Sequence, residues 1–212
     1  MNKKIFIVGA GGHAKVVFDV AVRAGFEVVA FVDDAPALSG TLCRGIPVRC
    51  GDAAVRELIE QGISCALIAI GSNAARAKVA LRLENLGVRF AVAVHPAAVV
   101  DSSATIGAGS VLMAGAVVNA DAVIGRHCII NTAASIDHDC RVGDVVHVAP
   151  GVRVCGDVGI GDMVLVGVGA VIVPGTTIGA AAIIGAGAAV VADVEKNTMV
   201  AGVPAVLQKR NS

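Results

Sequence analysis

Three consecutive residues, Asp137-His138-Asp139, bring together the groups needed for proton transfer at neutral pH. Imidazole is the side chain whose ordinary pKa lies nearest working pH, and an adjacent carboxylate holds its tautomer and raises its basicity. The same residues also read as a solvated histidine among acids. A second chemical signal is Gly9-Ala10-Gly11-Gly12-His13-Ala14, which has the form G-x-G-x-x-A. Glycines at that spacing let backbone N–H groups approach a diphosphate at the start of a helix. Taken alone the loop suggests a dinucleotide, with Asp33 on its ribose. His13 also reads as a plain turn residue.

These groups need a frame, and the larger part of it is a repeat. From Val94 to Val190 every sixth residue is Val, Leu or Ile without a break. Four residues after each aliphatic comes a small or β-branched residue, among them Ala116, Cys128, Ala134, Cys140 and Ala170, and the residue directly after the aliphatic is often Gly, as at 107, 125, 143, 161, 167, 179 and 185. A period of six fits neither a helix nor a hairpin meander; it belongs to a solenoid whose short strands turn a corner every hexad, a parallel β-helix. With the inward aliphatic as position one, positions three and four form the corner, and two and six point outward. His138 and Asp139 therefore occupy a corner.

Eighteen residues make one coil, so Gly156 is expected directly above His138, about 4.8 Å away. Val111, Ile129, His147, Leu165 and Ile183 form an outward stripe on one face, opposite the His138 corner. A mostly apolar outward stripe needs a cover, and a symmetric oligomer is the usual one. If His138 and His147 serve one site, that site combines two subunits, which predicts an obligate trimer. His127, His138 and His147 lie at three azimuths of the prism and do not converge within one chain, so no metal site is expected.

Residues 1–93 lack the six-residue period. Strands are predicted at 5–8, 28–32, 65–70 and 89–94, with helices at 14–24, 52–61 and 74–86, and a loop carrying Pro36, Gly40 and Pro47. Strands alternating with helices imply a small parallel sheet of Rossmann type. The fold expected is thus α/β plus β: a Rossmann-like unit (1–93), a left-handed parallel β-helix (94–195) and a C-terminal tail (196–212).

Net charge is zero and pI about 6.9, so the electrostatic pull that nucleic-acid binding relies on is missing. The uncharged stretch 163–192 is long enough for a membrane span, but its glycines, Pro174 and unbroken hexads explain it as β-helix interior. The apolar run at 5–8 is too short for a signal peptide, and the six cysteines show no CxxC, which reads as a reduced cytoplasmic protein.

The hexad register resembles the hexapeptide-repeat acyltransferases. Joined to a Gly-Gly-His loop on a Rossmann unit, it is similar to the bacterial nucleotide-amino-sugar N-acetyltransferases of the bacillosamine and perosamine pathways and to the sialic acid O-acetyltransferases. The resemblance implies acetyl-CoA as co-substrate. It also implies action on a UDP- or GDP-linked 4-amino-4,6-dideoxy sugar for glycan or O-antigen synthesis, to which the residues add a cytoplasmic homotrimer without a membrane span. Asn131, Asp137-His138-Asp139 and His147 align with the family's Asn, acid-His-acid and downstream His, although the family has Glu where this chain has Asp137 and Asp139. On that alignment His138 is the general base, Asp139 its partner, and the Gly156 amide an oxyanion donor. Gly11, Gly12, His13, Asp33, Asp34 and Asn131 face the sugar nucleotide, and His147, Gly156, Val168, Thr177 and Gly185 line the CoA path. The last segment, with its Gly-x-Pro-Ala at 202–205, lies near the acyl-CoA. The alternatives are O-acetylation of sialic acid, a nicotinamide oxidoreductase built on the glycine loop, and a non-catalytic scaffold.

Overall fold

The structure, a computed structural model, describes residues 3–210. The first unit begins with β1 (Lys4–Val8), whose last four residues are buried, and turns through the glycine loop into α1 (Gly12–Arg23). The helix starts two residues before the expected Ala14, because Gly12 and His13 already belong to its first turn. β2 (Glu27–Asp33) follows. The segment predicted as a loop contains a hairpin, β3 (Leu42–Cys43) and β4 (Ile46–Cys50). Arg44 and Gly45 both have positive φ, 53° and 80°, which is what a two-residue hairpin turn requires. Then come α2 (Gly51–Glu60), which has Cys50 at its N-cap position and no side-chain capping bond, β5 (Cys65–Ile68), α3 (Asn73–Asn85) with Ser72 at its N-cap, and β6 (Arg89–Phe90).

The sheet order is β3-β4-β2-β1-β5-β6, parallel except for the β3–β4 pair. The order of strands reverses at β1, so the position where such sheets usually hold a ligand is the crevice at the carboxyl ends of β1 and β5. The glycine loop and residues 70–73 line it.

The expected strand 89–94 is divided. Arg89–Phe90 closes the first sheet, and Ala93–Val94 opens the first face of the β-helix. Two-residue strands then follow every hexad to Ala189–Val190. Partners lie eighteen apart, as in Val111↔Ile129, Ile129↔His147 and His147↔Leu165, and three sheets form the faces of a left-handed prism. The hexad aliphatics from Leu112 to Val190 point inward with the small fifth-position residues, filling a continuous core. The uncharged stretch 163–192 lies wholly within these coils, and among the described residues no helix is long and apolar enough to cross a membrane.

Two glycine positions have separate causes. The fourth residue of every hexad from Gly109 to Gly187 has positive φ, including Asp139 at 61°, because each corner turns through the left-handed region. The second-position glycines are needed for stacking: a Cβ on Gly161 would lie 2.6 Å from Ala180 N in the next coil.

The outward stripe is covered differently from expectation. Val111 and Ile129 are 1% exposed, and with Met113 they pack in one core with Ile5, Ile7, Ala14, Val17 and Leu67 of the first unit. The chain's own Rossmann unit therefore sits over the first coils of that face, and those residues do not call for a second chain. The tail is also ordered: Thr198–Ala201 extends the first face beside Ile183–Ile184 and pairs antiparallel with Val206–Arg210, while Arg210 forms an ion pair with Glu195 at 2.5 Å. Of the segments 1–93 and 196–212, residues 1–2 and 211–212 lie outside the described residues.

Candidate active site

Ile136 points into the core, which throws the next three residues around the edge between the second and third faces. His138 and Asp139 stand exposed there, with Nδ1 of His138 2.8 Å from Oδ2 of Asp139. Asp139 accepts from Nδ1–H, leaving Nε2 as the free basic nitrogen. The short aspartate side chain thus reaches the imidazole. The bond to Asp139 raises the His138 pKa above its ordinary value, helped by the charges of Asp137 and Asp157. Asp137 accepts from Asn119 Nδ2 and from the His138 amide, both at 2.8 Å, and these bonds lower its pKa. Gly156 lies on the same edge one coil later, and a Cβ there would come within 2.5 Å of Cε1 and Nε2 of His138. A base with a free Nε2, an orienting carboxylate and a backbone amide beside it form a set able to deprotonate a nucleophile and stabilise an oxyanion.

A second cluster lies on the first face, under the Rossmann unit. His147 is half-buried; its Nδ1 is 3.3 Å from Gly71 O and its Nε2 3.2 Å from Asn131 Nδ2. A carbonyl can only accept, so Nδ1 carries the proton and Nε2 accepts from the amide. Burial, then the Arg76 charge, pushes the His147 pKa down to about 4. His13 lies 6.5 Å from His147, ring to ring; burial and Arg76 lower its pKa, and its Nε2 is buried without a hydrogen-bond partner among the described residues.

The remaining predicted residues divide between structural and open positions. Gly11 and Gly12 are exposed, and a Cβ on either would meet nothing within 4 Å. Asp33 accepts from Ala10 N at 2.8 Å through one carboxylate oxygen and from Ala35 N at 2.9 Å through the other, so it braces the glycine loop. Asp34 is ion-paired to Arg82 at 2.8 Å beside a cleft of about 620 Å³ that reaches Ile70 and Lys78. Val168 is exposed on the edge between the first and second faces, and Gly185 lies on that same edge, where a Cβ would meet Ala201 Cβ at 2.7 Å. Thr177 is on the third face, its amide bonded to Asp193. His13, Asn131 and His147 are thus brought together, while His138, Gly156 and Thr177 lie around the prism from them. Arg76, Asn73 and the Gly71 carbonyl were not foreseen, since an arginine inside a helical stretch reads as a solvated face.

The fold and the His138 edge define an acyltransferase of the hexapeptide-repeat class. Residues 4–83 match the PglD N-terminal domain family. A mutant of perosamine N-acetyltransferase from Caulobacter crescentus, in complex with CoA and GDP-perosamine, superposes with a TM-score of 0.93 at 41% identity, covering 97% of each chain. The acetyltransferase domain of PglB from Neisseria gonorrhoeae, in complex with acetyl coenzyme A, gives 0.90 at 36% identity over 98% of this chain and all of that one (100%). UDP-N-acetylbacillosamine N-acetyltransferase of Bacillus subtilis is 39% identical over 116 residues, 53% of this chain; the match spans about half (52%) of that curated relative. The chain belongs to the bacterial nucleotide-amino-sugar N-acetyltransferase family.

Proposed function

We propose that this protein transfers the acetyl group of acetyl-CoA to the amine of a UDP- or GDP-linked 4-amino-4,6-dideoxy sugar, in the cytoplasm and in the service of glycan or O-antigen synthesis. The observation that carries the reading is the His138–Asp139 pair beneath Gly156. His138 Nε2 takes the proton as the amine attacks the thioester carbonyl, forming the C–N bond. The Gly156 N–H donates to the resulting oxyanion, and collapse breaks the C–S bond, with the proton on His138 passing to the departing thiolate.

Residues 1–93 would hold the nucleotide at the β1/β5 crevice, through the glycine loop, His13 and Asp34, with Asp33 shaping the loop. Residues 94–195 would bind acetyl-CoA, and 196–212 would flank it. Asn131, His147, Val168 and Gly185 occupy the first face and its edge with the second, whereas His138, Gly156 and Thr177 occupy the second–third edge and the third face. An acyl donor that touches both sets must lie between two prisms, which supports a homotrimer with active sites between subunits. A stable, fully active monomer in sedimentation would remove this arrangement. The edge around His138 also carries Asp121, Asp137, Asp139 and Asp157, a field that attracts an ammonium and repels the carboxylate of sialic acid.

The test is thiol release from acetyl-CoA with a panel of UDP-, GDP- and dTDP-linked amino sugars, alongside free sialic acid and an NADH titration. Turnover with one amino sugar fixes reaction and nucleotide. Turnover with sialic acid alone replaces N- by O-acetylation, and saturable NADH binding without transfer replaces both.

A further inference from the structure

Arg76, on the first turns of α3, is 1% exposed. Its Nε donates to His127 O at 2.8 Å, Nη1 to Ile70 O and Gly71 O at 2.9 and 3.1 Å, and Nη2 to Asn73 Oδ1, Val145 O and Val146 O at 2.7, 2.9 and 3.4 Å. Every one of these acceptors is a neutral oxygen. Burial pushes the guanidinium pKa down to about 10, so it stays charged at neutral pH. A buried charge of this kind is tolerable only because its fork of donors is filled by oriented dipoles.

The acceptors form a pattern. His127 O and Val145 O lie one coil apart on the edge between the third and first faces. Asn73 Nδ2 continues the series to Met163 O and Val164 O, at 2.9 and 3.0 Å. Two side chains from one helical turn thus grip three successive coils. The other arm of the guanidinium holds the Ile70–Gly71 turn that lines the β1/β5 crevice. The Gly71 carbonyl is in turn the partner of His147 Nδ1.

We propose that Arg76 is a positioning residue for acetyl transfer: it fixes the pose of the nucleotide-binding unit on the β-helix and, through the Gly71 carbonyl, holds His147 in the Nδ1–H tautomer whose Nε2 accepts from Asn131. The functional consequence rests on the acetyltransferase reading above; the tautomer does not. The Arg76 charge works in the same direction, since it disfavours protonation of both His13 and His147.

The test uses the full chain with Arg76→Met and Arg76→Lys. Nitrogen-15 NMR of the histidine rings, without substrates, reads the tautomer; steady-state kinetics reads KM and kcat. Wild type is expected to show a single Nδ1–H form of His147. Arg76→Met is expected to mix the tautomers, move the His147 titration midpoint upward and raise KM for the nucleotide sugar about tenfold or more, with a smaller fall in kcat. Arg76→Lys keeps the charge without the planar fork, so the midpoint stays low while the tautomer mixes and KM rises. A folded Met or Lys variant that retains one Nδ1–H tautomer and wild-type KM overturns the proposal; if Arg76→Met does not fold, the Lys variant decides alone. Absence of transfer by wild type would defeat the acetyltransferase reading and leave the tautomer result to judge Arg76.

Discussion

The imidazole of His138 fills the space that a side chain on Gly156 would need: a Cβ at 156 would come within 2.5 Å of both Cε1 and Nε2. Residue 156 therefore sets where the base can stand. Gly156→Ala must push the exposed ring away and break its 2.8 Å bond to Asp139. The nearest atoms to the added methyl all belong to that exposed ring, so the coil itself is expected to stay undisturbed. Turnover is expected to fall by two or more powers of ten, with the melting temperature within a few degrees of wild type. His138→Ala should lose a similar factor. Loss of the folded state in Gly156→Ala would show that the glycine serves stacking and not the site.

With His138 as the proposed general base, its protonation should set the acid limb of the pH profile. Asp139 raises the folded-state pKa above the ordinary 6.5, so kcat/KM should fall as pH drops through a midpoint higher than 6.5. Asp139→Asn removes the largest cause of that shift, and the midpoint should move down. For stability the sign is the reverse of a buried histidine: the Asp139 interaction contributes below the unfolded pKa and is lost as pH rises through the raised folded value. A midpoint unchanged by Asp139→Asn would take Asp139 out of its assigned role.

His147 acts oppositely. Its folded pKa is about 4 against an ordinary 6.5, so the stability contributed by the neutral ring is present above about pH 6.5 and is lost as pH falls toward 4. His13 and His127 are shifted in the same direction, also chiefly by burial. Urea unfolding at pH 7 and at pH 4.5 should differ by roughly 2 kcal/mol on account of His147 alone, since at about 1.4 kcal/mol per pKa unit the full shift is not yet spent at either pH. His147→Gln should flatten the slope. An equal loss in wild type and variant would assign the acid sensitivity to other groups.

The sequence disclosed the prism and its corner because a six-residue period leaves no alternative register: Ile136 inward puts His138 on an edge, and eighteen residues on is Gly156. The glycine loop was legible as a loop, but not the fate of Asp33, whose two oxygens turned out to serve Ala10 and Ala35. The hairpin at 42–50 was hidden because Arg44, a residue of no turn preference, takes a positive φ beside Gly45. Docking of the two units was the least visible. Val111 and Ile129 showed an apolar face in need of a cover, yet nothing local said whether the cover was another chain or the first ninety or so residues of the same one. Arg76 belongs to the same blind spot, since its acceptors are main-chain carbonyls, which every residue possesses and no sequence pattern marks.

The two glycine positions of the hexad make a last, paired prediction. Gly161 is at the second position, where an added Cβ meets Ala180 N at 2.6 Å and Ala180 Cα at 2.9 Å, rigid backbone in the next coil. Relief requires the coils to separate locally, weakening the Gly161 N to Ile178 O hydrogen bond at 2.8 Å. Gly161→Ala is thus expected to destabilise by about 2 kcal/mol or more, in the range of strained core substitutions. Gly151 is at the fourth position, with φ 71° and nothing within 4 Å of its Cβ direction. Asparagine tolerates the left-handed region, so Gly151→Asn should cost less than about 1 kcal/mol. Thermal or urea unfolding of the pair decides the matter: if Gly151→Asn proved the more damaging, the second-position glycines would owe their presence to something other than coil stacking.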